Sequence, residues 1–195
     1  MKLFSKLVTT AAMAALAVGG GATAASAYSI SGGAYTSATS STVKLTLAGS
    51  YTYACSSTSF SGVATGADTM TMTPAFGGCS YYGFPWVITQ SGAWKIKVTG
   101  GSAPNFTGEL EIPAGVTTTW TLPITGCTFV ISGPQTLRHG VGGNAAVIRN
   151  MGTGAELSFH LNGIAFTATS CPYSSGTNGV LDSGGGISLP GITVS

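Results

Sequence analysis

Glu109 and Glu111 are the closest pair of carboxylates in this chain. Two residues apart on a strand, they share one face. Paired carboxylates hydrolyse glycosides when their carboxyl groups stand about 5–9.5 Å apart. Here Lys95 and Lys97 repeat the same spacing with opposite charge, so the four residues read as a solvated, charge-matched face rather than an acid–base pair. His139 and His160 have no acidic residue close in sequence and do not read as a metal site. Cys55, Cys79, Cys127 and Cys171 are widely spaced, whereas zinc ligands usually come in close C-x-x-C pairs. An even count in an exported chain reads as two disulfides. Of the three possible pairings, Cys55–Cys79 with Cys127–Cys171 is favoured, because it closes the two shorter loops and divides the chain into two modules.

Asp182-Ser183-Gly184-Gly185 resembles the nucleophile motif of chymotrypsin-like serine proteases, where such a run sets the serine beside its oxyanion donors. Three departures count against it. Leu181 stands where a glycine is expected, neither histidine sits in an Ala-His-Cys context, and only twelve residues follow Ser183. No G-x-S-x-G elbow occurs. The expectation is therefore no catalytic residue, no metal and no cofactor. The remaining candidate is a ligand surface at Tyr81, Tyr82, Phe84 and Trp86, since adjacent aromatic rings cannot all point inward. With Trp94 and Trp120 these rings could form a sugar platform, although core packing is the commoner use of such rings.

The elements that must position these groups are strands. Val43–Leu47 and Thr69–Thr73 alternate apolar and polar residues; so do Trp94–Val98 and Phe106–Ile112, which suggest a hairpin with the lysines facing the glutamates. Asn162-Gly163 lies between Leu157–Leu161 and Ile164–Ala168, the strongest short hairpin signal. That hairpin would set Phe159 opposite Phe166. Further strands are expected over Tyr51–Cys55, Phe84–Thr89, Val116–Leu122, Cys127–Ser132 and Gly186–Val194; residues 144–150 suit a short helix or a strand. The fold class is all-β: an antiparallel β-sandwich or partly closed barrel. The expected organisation is a signal peptide over residues 1–27, a loose leader over 28–42 and a single β-rich domain over 43–195.

Residues 1–27 have the three parts of a signal peptide: Lys2 and Lys6, an apolar run from Leu7, and Ala25-Ser26-Ala27. With it removed, Lys44, Lys95, Lys97, Arg138 and Arg149 balance Asp68, Glu109, Glu111, Glu156 and Asp182. A nucleic-acid partner needs a basic stripe, and there is none. No apolar run is long enough for a membrane helix, so the chain is not expected to be an integral membrane protein; an outer-membrane barrel is a minor alternative. Charged residues are 6% of the chain, against about 25% in an ordinary soluble domain. Such a surface offers little electrostatic resistance to association.

Taken together, the signal end, the four spaced cysteines, Thr125-Gly126-Cys127-Thr128 and the Ser/Thr-rich tail resemble the small exported Gly/Ser/Thr-rich β proteins of actinobacteria. That resemblance implies compartment and fold class only. Neocarzinostatin-like chromophore carriers share the exported two-disulfide β architecture without this cysteine spacing, so no residue is carried over from them. The leading functional expectation is a secreted or envelope-associated, non-enzymatic protein that packs against itself or cell-envelope components. The alternative is a carrier of a small apolar or sugar ligand. A secreted hydrolase stands third.

Overall fold

The computed structural model describes residues 28–37, 42–64 and 66–195; the expected signal peptide lies outside them. Among the described residues there are seventeen strands and no helix. In chain order they are β1 (Ile30–Ser31), β2 (Gly33–Thr36), β3 (Val43–Leu47), β4 (Tyr51–Ala64), β5 (Thr69–Tyr81), β6 (Phe84–Pro85), β7 (Val87–Ser91), β8 (Trp94–Ser102), β9 (Asn105–Ile112), β10 (Thr117–Leu122), β11 (Cys127–Ser132), β12 (Gln135–Arg138), β13 (Ala145–Met151), β14 (Gly154–Thr169), β15 (Gly176–Asp182), β16 (Ile187–Pro190) and β17 (Thr193–Val194). The all-β expectation holds, and residues 144–150 resolve into a strand rather than a helix.

Period-2 alternation explains why these segments are strands. Val43, Leu45 and Leu47 are buried, as are Trp94, Ile96 and Val98, and Phe106, Leu110 and Ile112. Each such side chain contributes roughly 1.5–3 kcal/mol on leaving water. Antiparallel pairing runs β8–β5–β4–β3–β15–β14–β13–β9 and returns from β9 to β8, a closed circuit of eight strands. A branch leaves the far end of β14 through β11 and β10 to β7. The branch carries Trp120 and Phe129 against Tyr53 on β4, which makes a second, aromatic core. The hairpin of β8 and β9 has the expected register, with Lys95 opposite Glu111 and Lys97 opposite Glu109. The ion pair that closes there is instead Arg138 Nε to Glu109, 3.3 Å, from β12. With Arg138 largely exposed, it contributes at most about 1 kcal/mol.

Two expectations are corrected. Asn162-Gly163 is not a hairpin turn but a bulge within the sixteen-residue β14. Phe159 faces Ala146 on β13, not Phe166. Gly163 has the positive φ, 81°, that the motif calls for. The chain does not reverse because side chains satisfy the backbone at the bulge. Asn144 Oδ1 accepts from the Asn162 N–H. Gln135 accepts from the Ala165 N–H at 2.8 Å and donates to the Ala165 carbonyl at 2.9 Å. Those partners satisfy the Asn162 and Ala165 backbone where the ladder shifts, and the strand continues from β13 to β15 to β11.

Nor are residues 28–37 a loose leader. β1 pairs with β17, and β2 pairs with β4. Ile30 and Tyr35 are buried, and the Tyr35 hydroxyl donates to the Thr71 carbonyl at 2.9 Å. Asn150 acts as a surrogate backbone for β17: its Nδ2 donates to the Val194 carbonyl at 2.7 Å, and its Oδ1 accepts from the Val194 N–H at 3.0 Å.

Candidate functional site

The favoured cysteine pairing is the observed one, Cys55–Cys79 and Cys127–Cys171. Both bridges border the same place. Cys55 and Cys79 face each other across β4 and β5. Two residues beyond them, on the same strand faces, stand Tyr53 and Tyr81, with ring centroids 5.2 Å apart. After Tyr81 the chain reverses at Tyr82-Gly83, both with positive φ (48° and 80°), and Phe84 pairs back to Tyr81. This is a two-residue hairpin of the kind that positive φ at both turn positions permits. The Trp86 N–H then donates to the Cys79 carbonyl at 2.9 Å. That bond folds the indole inward, 4.9 Å from Tyr53 in a T-shaped contact.

The result is a cavity of about 310 Å³. Tyr51, Tyr53, Tyr81 and Trp86 form one side of it, and Leu122, Thr125 and Cys127 another. Ser170 and Pro172, which flank Cys171, complete the lining. None of these residues is charged. Behind Tyr53, its hydroxyl meets that of Tyr173 at 2.6 Å. Burial pushes the Tyr173 phenol up to about 12, and burial followed by the Tyr173 contact holds Tyr53 above the usual tyrosine range. Both phenols are therefore neutral at physiological pH. The Trp86 Nε1–H has no hydrogen-bond partner in the protein. Beside the cavity lies a second groove of about 280 Å³, lined by Ser50, Thr52, Tyr81 and Tyr82.

The four residues expected to form a ligand surface are thus divided. Tyr81 and Trp86 line the cavity. Tyr82, 84% exposed, lines the groove with Tyr81. Phe84 is half exposed and lines neither. Tyr51, Tyr53, Leu122 and Tyr173 were not anticipated. The available signals were the Tyr51-x-Tyr53 alternation, which puts both rings on one strand face, and the closeness of Tyr173 to a bridged cysteine.

Two of the groups weighed for catalysis, Ser183 and His139, are hydrogen-bonded to the backbone. Ser183 is buried; its Oγ accepts from the Phe159 N–H at 3.1 Å and its own N–H donates to the Phe159 carbonyl at 2.9 Å. His139 Nδ1 accepts from the Ala146 N–H at 3.2 Å. Among the described residues no three His, Cys, Asp or Glu side chains gather as a metal would need. His160 does have an acidic partner that its sequence neighbours do not reveal: Nδ1 lies 2.7 Å from Asp182 Oδ2, across β14 and β15. The imidazole hydrogen bond, with help from the Gly184 N–H and the charges of His160 and Lys44, holds the Asp182 carboxyl below its usual range against the opposing effect of burial.

The sign of the pH effect follows from that shift. An acid whose pKa is depressed on folding adds stability above its unfolded value, near pH 4, and that stability is lost as the pH falls through the folded value. Asp182→Asn is expected to melt below the parent protein at pH 6 and to converge with it towards pH 2. Thermal unfolding across that range checks this; a constant difference at every pH would contradict it.

Comparison with protein-family models, with curated proteins and with solved structures returns no match for this chain.

Proposed function

We propose that the chain is an exported, non-enzymatic protein that holds a small, neutral, ring-bearing ligand in the cavity between its two disulfides. One observation carries this reading: an uncharged cavity of about 310 Å³ walled by Tyr51, Tyr53, Tyr81 and Trp86. Ligand sites are concave, mostly apolar and start near 300 Å³. Offset and edge-on ring contacts add about 0.5–1.5 kcal/mol each beyond area burial. Two disulfides fit an oxidising, extracellular environment, and among the described residues no helix is long and apolar enough to cross a membrane.

The test is titration with 2-naphthol, read by intrinsic tryptophan fluorescence. Saturable quenching, lost in Trp86→Ala, supports the reading. No saturable change, with indole and coumarin equally silent, overturns it.

A second reading, self-association or packing against envelope components, is favoured by a different observation. Tyr82, Phe84, Val87 and Ile124 are exposed on the segments around the cavity mouth, Tyr82 at 84% and Ile124 at 72%. Few charges oppose contact there. A sedimentation coefficient that rises with concentration and stays flat in Tyr82→Ser/Ile124→Ser would support that reading.

A further inference from the structure

The cavity and the groove beside it differ in chemistry but share a wall. Tyr81 lines both. On one side of it are Tyr51, Tyr53, Trp86 and Leu122. On the other, every residue of the groove carries a hydroxyl: Ser50, Thr52, Tyr81 and Tyr82. Neither lining contains a charge.

Hydroxyls both donate and accept, and that suits a polyol better than an ion. Thr52 is already oriented by Thr46, at 3.0 Å between hydroxyl oxygens. Tyr82 is set by the backbone: at φ 48° it occupies a conformation that L-residues seldom adopt, and its ring stands 4.5 Å from Tyr81 at 73°. Sparsely populated backbone conformations held by surrounding structure recur at ligand clamps.

Resting on the cavity reading above, we infer that the two sites together take a neutral aryl glycoside. The flat aglycone fills the aromatic cavity, and its uncharged sugar lies in the hydroxyl groove. The glycosidic oxygen passes over Tyr81, where the two sites meet. A free sugar leaves the aromatic cavity empty, and a free aglycone leaves the groove's hydroxyls unused. An anionic or cationic head group meets no counter-charge in either lining.

The experiment compares 2-naphthol with 2-naphthyl β-D-glucoside, both titrated by tryptophan fluorescence. Joining two adjoining sites through one ligand raises affinity through effective concentration. The glucoside is expected to bind at least about tenfold more tightly than 2-naphthol, a modest share of the gain such linkage allows. In Thr52→Val and in Tyr82→Gly, a glycine being at ease at positive φ, the ratio of the two Kd values is expected to fall towards unity. Equal binding of both probes by the parent protein overturns this inference and leaves the cavity reading standing. A glucoside advantage that survives both substitutions also overturns it, because the sugar then sits elsewhere. If neither probe binds, this inference falls, and the cavity reading falls with it only when indole and coumarin are silent as well.

Discussion

Replacing Cys127 and Cys171 together by alanine is expected to lower stability by about 4 kcal/mol, the loop-closure entropy released when a 44-residue loop is no longer closed in the unfolded chain. For a chain of this size that corresponds to a fall in melting temperature of about 10 °C. The location makes the effect more than entropic. Cys171 lies two residues past the end of β14, whose pairing to β11 covers only Thr128–Val130 against Thr167–Thr169. Beyond it, Ser170 and Pro172 line the cavity, and Tyr173 holds the Tyr53 hydroxyl. Without the bridge that wall is held by the short ladder to β11, the Tyr173 contacts with Tyr53, Tyr51 and Phe166, and the Ala168 N–H bond to Ser175 Oγ, all non-covalent, so 2-naphthol affinity is expected to fall with stability. Cys55–Cys79 closes a shorter loop, 24 residues, and joins residues that are already ladder partners. Its double alanine variant should keep the cavity better shaped even though it loses about 3.5 kcal/mol on the same entropy argument. Calorimetry and probe titration on the two variants separate these effects. Equal loss of binding in both would contradict the assignment of the 170–173 wall to Cys127–Cys171.

Trp120→Ala is expected to cost about 3–5 kcal/mol, the range for truncating a large buried aromatic side chain. Trp120 is 1% exposed and stacks on Phe129 at 5.3 Å and 18°, with Phe76 at 5.4 Å and Tyr53 at 6.1 Å. Its loss opens a void between the branch sheet and β4, directly behind the Tyr53 wall. Trp120→Phe is the informative companion. It keeps a ring for stacking and removes an indole Nε1–H that has no hydrogen-bond partner in the protein. A buried donor left unpaired costs about 1–3 kcal/mol, so part of the packing lost with the smaller ring is returned. Trp120→Phe should therefore lie much closer to the parent than to Trp120→Ala in chemical denaturation. Equal destabilisation by both would contradict this, because a phenyl ring would then recover none of the packing that the indole supplies.

Local chemistry made much of the fold legible. The alternation at Val43–Leu47 and Trp94–Val98 names the buried face of β3 and β8 because successive strand residues point to opposite sides whatever the partner strand is. The matched spacing of Lys95, Lys97, Glu109 and Glu111 yields the register of β8 with β9, since those strands are neighbours in the chain and a short connection leaves few alternatives. Asn162-Gly163 shows where this reasoning stops. A glycine at positive φ suits a two-residue turn and a bulge equally, and the choice was made by Asn144 and Gln135, distant side chains that satisfy the backbone on the spot. Two-residue turns form instead at Tyr82-Gly83, Ala103-Pro104 and Gly152-Thr153, pairs with weaker local preference, because the strands on either side find each other there.

The sequence by itself determined that this is an all-β protein of alternating strands with four cysteines in two bridges and almost no charge, because side-chain period, composition and cysteine count are properties of the chain alone. Only the tertiary structure decided that residues 28–37 belong to the folded body, that His160 meets Asp182, and that Tyr51, Tyr53, Tyr81, Trp86 and Leu122 surround one cavity. Those contacts join residues far apart in the chain, Ile30 to Val194 across β1 and β17, and Tyr53 to Tyr173 over 120 positions. Period 2 says which way a side chain points and nothing about which strand lies opposite. That choice depends on burying all the apolar faces at once while leaving no buried backbone amide unpaired.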